Sequence, residues 1–105
     1  MSDSKQQNVL EGTAVVWKFP IAMPDEHGRS FVDIPDEAEL LSVGLQDDRL
    51  VLWALTDSLH ETYRHRLIVA NTGMSIPEFP PRARHLGTLT TSNGIVWHVW
   101  DGDYA

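Results

Sequence analysis

Chemistry in this 105-residue chain has to come from its arginines, histidines and tryptophans, because it has no cysteine. Without thiols there is no sulfur nucleophile, no thiolate zinc ligand, no disulfide and no CxxC redox pair. Four of the eight Lys and Arg residues fall in two short stretches, Arg64-His65-Arg66 and Arg82-Ala83-Arg84-His85. Guanidinium pairs bind phosphate bidentately, and the intervening Asn71-Thr72-Gly73 turn offers backbone N–H groups to an anion. Arg64, Arg66, Thr72, Gly73, Arg82 and Arg84 are therefore the expected ligand-binding set. In the competing reading these arginines neutralise Asp57 and Glu61 across a hairpin. Four tryptophans are many for so short a chain, and indoles serve equally in cores, at interfaces and under stacked bases. Trp17, Trp53 and Trp100 are the expected interface or stacking positions.

Catalytic signatures are missing. The chain has no GxxxxGK[ST], no GxGxxG, no GxSxG and no kinase motif. His60-Glu61-Thr62-Tyr63-Arg64-His65 is one residue too long for a zinc-binding HExxH helix. Its two imidazoles diverge by about 140° on a helix and point to opposite faces on a strand. His27, His85 and His98 have no neighbour at a metal-ligand spacing. No catalytic residue, metal or cofactor is expected, and a non-enzymatic role follows.

These residues must be carried by strands. Thr13 to Phe19 is β-branched and aromatic and stops at Pro20, and Ser30 to Ile34 stops at Pro35. Glu39 to Gln46 and Arg49 to Leu55 flank Asp47-Asp48 as a hairpin. A two-residue loop there sets Leu45 against Leu50, Val43 against Leu52 and Leu41 against Ala54 on the core side. The opposite side, with Ser42 against Trp53 and Leu40 against Leu55, is too apolar to be left in water, so the rest of the chain or a second subunit must cover it. Thr62 to Ala70 reads as a strand, with a helix capped at Ser58-Leu-His-Glu61 as the alternative for residues 57–66. Three prolines make 76–82 an irregular connector. Asn93-Gly94 predicts a type I′ hairpin that sets Thr90 against Trp97, Thr88 against Val99, Leu89 against His98 and Gly87 against Trp100. Six or seven short strands joined by hairpins imply an all-β fold, either a small antiparallel sandwich or a partly open barrel. A single domain is expected over 12–101, between a disordered tail at 1–11 and a short tail at 102–105.

A formal net charge of −7 repels duplex nucleic acid and anionic membrane. Screening confines each charge to about 8–10 Å, so a local basic pocket remains compatible with that total. Neither a signal peptide nor a membrane-length apolar run is present, and a reducing cytoplasm fits the absence of cysteine.

Val16-Trp-Lys-Phe-Pro-Ile21, Asp33-Ile-Pro35, Ala38-Glu-Leu-Leu-Ser-Val43, Trp53-Ala-Leu55, Thr72-Gly-Met-Ser-Ile-Pro77, His85-Leu-Gly-Thr-Leu89 and Trp97-His-Val99 occur in that order. Together they resemble a family of small phage and prophage proteins of unknown function. The resemblance implies a phage setting in the host cytoplasm and supplies no catalytic residue. Small phage proteins often counter host defence, some by sequestering nucleotide signals. A β oligomer with Arg for phosphate and Trp for the base would suit that role. Its partners would be a small nucleotide ligand and further copies of itself. The alternative is an acidic protein-binding or self-assembling module acting on a host protein.

Overall fold

A computed structural model describes residues 13–57 and 61–103. Among the described residues seven strands form, in sequence order: β1 (Val15–Pro20), β2 (Arg29–Pro35), β3 (Glu39–Gln46), β4 (Arg49–Thr56), β5 (Thr62–Asn71), β6 (Arg84–Thr90) and β7 (Val96–Asp101). They make two antiparallel sheets, β1-β4-β3 and β2-β5-β7-β6, which stay open rather than closing into a barrel. The core lies between them. Phe19, Val43, Leu50, Leu52 and Ala54 of the smaller sheet pack against Val32, Ile34, Leu67, Val69, Leu86 and Val99 of the larger. The expected all-β sandwich is therefore the architecture. The expected N-terminal tail lies outside the described residues.

Proline sets two strand ends. β1 runs into Pro20 rather than stopping before it, and β2 ends on Pro35. Both are edge strands, where a missing N–H costs the ladder nothing. β5 forms as a strand from Thr62, while the capping positions of the helical alternative, 58–60, lie outside the described residues.

The β3–β4 hairpin turns through Asp47 and Asp48 with φ of 53° and 61°, the left-handed pair a type I′ turn needs. Leu45 meets Leu50, Val43 meets Leu52 and Ser42 meets Trp53, as the alternation implies. One turn further on the register slips. A bulge between Leu40 and Ser42 brings Leu40, not Leu41, opposite Ala54. Leu40 is buried and Leu41 is 40% exposed, because the extra residue reverses the alternation beyond it.

The β6–β7 hairpin departs from the expected type I′ turn. Its loop has three residues, Ser92 to Gly94, and only Gly94 takes a positive φ (90°). Gly94 N donates to Thr91 O (3.0 Å) and Thr91 N to Ile95 O (2.8 Å), the pattern of a type I turn followed by a left-handed glycine. Thr91 fixes this choice, since its hydroxyl accepts from Ile95 N (3.0 Å) and donates to the Asn93 side chain. The register moves by one. Leu89 faces Trp97 and Gly87 faces Val99 on the core side, while Thr88 faces His98 on the outer side. Gly87 thus makes room for Val43 of the other sheet, whose Cγ2 would lie 2.8 Å from a Cβ there, and not for Trp100.

The two hairpin tips are tied together. The Asp48 carboxylate accepts from Ser92 N (3.0 Å) and from the Ser92 hydroxyl. These bonds, the hydroxyl's first, hold the Asp48 carboxyl below its ordinary 3.8. A depressed folded-state pKa adds stability that is complete above the unfolded value and is lost as pH falls through the folded one. Asp48→Asn is therefore expected to lower the melting temperature at pH 6, with the gap to the native chain closing as pH falls below the ordinary carboxyl value of 3.8 and through the depressed folded-state one. Thermal melts across that range check it.

Candidate functional site

The outer face of the larger sheet carries Arg29, Arg64 and Arg66. Alternation along β5 points Leu67 and Val69 into the core, and Arg64 and Arg66 outward. The Arg64 guanidinium sits 4.5 Å over the Phe31 ring on β2. Arg66 pairs with Phe31 in register, and Arg29 with Ile68, so Arg29 and Arg66 are diagonal neighbours on adjoining strands.

Two irregular segments wall this face. The loop between β1 and β2 turns at Gly28, where φ is 82°. The Asp25 carboxylate organises that loop, accepting from His27 N (2.8 Å), Arg29 N (2.9 Å) and Arg29 Nε (2.8 Å). These bonds, chiefly from the Arg29 backbone, hold the Asp25 carboxyl below its usual range. The proline connector between β5 and β6 forms the other wall. Its Phe79 meets Trp100 edge-on at 5.2 Å, and Met74 Cε would lie 3.6 Å from a Cβ at Gly28, so loop and connector meet above Ile68.

Between these walls lies a cleft of about 390 Å³, lined by His27, Arg29, Arg66 and Ile68 from the larger sheet and its β1–β2 loop and by Ile76, Pro77, Glu78 and Pro80 from the connector. Each guanidinium is partly held. Asp25 engages Arg29, while Arg66 donates through Nη2 to Gly102 O (2.8 Å) and lies 3.6 Å from Asp103 Oδ1 through Nε. Glu78, at φ 55°, adds one carboxylate to the lining.

The remaining expected ligand residues do not join this cleft. Thr72 Oγ1 lies 2.6 Å from His98 Nε2, whose Nδ1 lies 3.1 Å from Thr88 Oγ1. Gly73 turns the chain at φ 90° beside open space. Arg82 is exposed on the connector. Arg84 donates across the sandwich from Nη2 to Leu40 O (2.8 Å), tying the two sheets. The two arginine stretches therefore separate, and Arg66 finds its carboxylate at Asp103 rather than at Asp57 or Glu61. Among the expected stacking residues, Trp100 shares the outer face of the larger sheet with His85 and His98. Trp53 is half-buried on the outer face of the smaller sheet, and Trp17 lies at that sheet's edge beside Ala54.

Arg29 and His27 were absent from the expected set. Asp25-Glu-His-Gly-Arg29 reads as a turn, but placing Arg29 beside Arg66 requires the β2–β5 pairing, which no local signal encodes. On the core-facing side His65 donates from Nε2 to Asp101 Oδ1 (2.8 Å), which also accepts from Asp103 N (2.9 Å). Asp101 is only 4% exposed. This pair fixes the turn that holds Arg66. Among the described residues no three His, Asp or Glu side chains converge as metal ligands, and no helix is long and apolar enough to cross a membrane.

No curated protein and no solved structure matches the chain. A family model does match, covering residues 13–104 and so every strand and both walls of the cleft. The chain belongs to the family described as Domain of unknown function (DUF7352).

Proposed function

We propose that this domain is a non-catalytic binding module that holds a small phosphate-bearing anion in the cleft between the larger sheet and the proline connector. The observation that carries this reading is the convergence of Arg29 and Arg66, from adjacent strands, with His27 on one concave surface. Guanidinium groups held by Asp25 and Gly102 arrive oriented, so little side-chain entropy is lost on binding. Asp25, Asp103 and Glu78 set a ceiling on the negative charge the cleft tolerates, which favours a single phosphate or a diester over a polyanion. Ile68, Ile76 and the prolines give a base or sugar an apolar surface. In a phage setting within the host cytoplasm, such a module would act by sequestering a nucleotide signal released by a defence enzyme.

Calorimetric titration tests this with inorganic phosphate, mononucleotides, cyclic dinucleotides and cyclic ADP-ribose isomers. One of the nucleotides is expected to bind, with Arg29→Ala weakening it by about tenfold or more, equivalent to about 1.4 kcal/mol. Arg64→Ala, whose side chain rests on Phe31 outside the cleft, is expected to leave binding within about twofold. Absence of heat across the panel would overturn the reading, as would a larger loss from Arg64→Ala than from Arg29→Ala.

A further inference from the structure

The connector side of the cleft carries a group that anion binding alone does not explain. Glu78 lines it, and the chain turns there with Glu78 at φ 55°. Among the described residues only Asp47, Asp48 and Glu78 combine a side chain with a positive φ. The two aspartates form a hairpin turn that requires this conformation, and their short polar side chains tolerate it. Glu78 stands instead after Pro77 on the connector, where the backbone favours glycine. A long acidic side chain kept at such a position, at a cost in backbone strain, points to a use for its carboxylate.

That carboxylate is exposed and, among the described residues, has neither an ion pair nor a hydrogen bond. Arg29 and Arg66 line the same cleft, yet they engage Asp25, Gly102 O and Asp103. The cleft is therefore bipolar. Guanidinium donors stand on the sheet side, two oxygens that only accept stand on the connector side, and Ile68, Ile76 and Pro80 add apolar wall. A volume of about 390 Å³ is at the small end of ligand pockets and suits one nucleotide rather than two.

We infer that this cleft selects guanine among the bases, with the phosphate on Arg29 and Arg66 and the base edge on Glu78. The inference rests on the anion-binding role proposed for the same cleft. Guanine presents two adjacent donors, N1–H and the N2 amine, which match the two oxygens of a carboxylate. Adenine and cytosine each set one amine donor beside a ring nitrogen that accepts, and uracil flanks its one N–H with two carbonyls. All three would turn a lone pair toward Glu78, which is repulsive. The apolar wall contributes to every base alike, so the discrimination falls to Glu78.

Calorimetric titration with 3′,5′-cyclic GMP, cyclic IMP and cyclic AMP tests the assignment, because all three carry the same phosphodiester. Cyclic GMP is expected to bind about tenfold or more tightly than cyclic AMP. Cyclic IMP, which keeps N1–H and lacks the N2 amine, is expected to fall between them. In Glu78→Gly, which suits the local φ and keeps the turn, the ratio of the cyclic GMP and cyclic AMP affinities is expected to drop to within about twofold. Reading the ratio cancels the general gain in anion affinity from deleting a carboxylate. Equal affinities in the native chain, each weakened by Arg29→Ala, overturn the guanine assignment and leave the anion-binding role standing. So does a Glu78→Gly chain that keeps the native ratio. Heat from none of the three overturns the assignment, and if inorganic phosphate and the other nucleotides also give none, the anion-binding role falls with it.

Discussion

Leu52→Ala is expected to lower the unfolding free energy by about 3–5 kcal/mol, the upper part of the range for truncating a fully buried leucine. Leu52 lies on the middle strand of its sheet, fully buried, with Phe19 and Val43 as its partners on either side. Both neighbours belong to the core and are held by their own ladders, so the site collapses poorly around the lost atoms. A domain of this size has only about 5–15 kcal/mol of stability, so the variant would approach the threshold of folding at 37 °C. Urea titration followed by tryptophan fluorescence measures it. Leu41→Ala is expected to stay within about 0.5 kcal/mol, because the bulge has already turned that side chain outward.

Asp101→Ala is expected to cost about 1–3 kcal/mol, since it leaves the half-buried His65 ring N–H and the Asp103 N–H without their shared acceptor. His65 Nε2 and Asp103 N both donate to Asp101 Oδ1. The same turn carries Gly102, whose N–H donates to Arg66 O (3.0 Å) and whose carbonyl accepts from the Arg66 guanidinium. Loss of the carboxylate therefore frees the turn and, with it, an arginine of the cleft. Asp101→Asn keeps one acceptor and is expected to recover part of the loss. Hydrogen exchange at the Asp103 amide separates the two variants, being fastest in Asp101→Ala.

Much of the architecture was legible in local pattern. Asp47-Asp48 between two alternating runs located the β3–β4 hairpin, and Pro20 and Pro35 came within a residue of the true strand ends. Two errors share one cause. Alternation carries no marker for an inserted residue, so the bulge at Leu41 and the third loop residue at Ser92 each reversed the expected faces beyond them. Thr91 could have been the signal for the second, as a hydroxyl able to cap the turn in place of a type I′ geometry. Arg64 and Arg66 were correctly placed on one face, but their neighbours were assigned by nearness in sequence. Arg84 is drawn instead to a carbonyl of the other sheet, and Arg29 reaches the cleft through a pairing of strands far apart in the chain.

Those distant pairings also decide the order in which the chain can fold. Of the five strand ladders among the described residues, β3–β4 and β6–β7 alone close through tight turns. Val15 meets Thr56 and Arg29 meets Ile68 across about forty residues each, and β7 returns to β5 only after the connector. Chain-closure entropy must be met before those long ladders gain anything, which places the domain among slow folders, on a scale of milliseconds to seconds. The Asp48–Ser92 tie joins the tips of the two hairpins that can form first. It is a contact between early-forming units, available to align the sheets before β1 or β2 has docked.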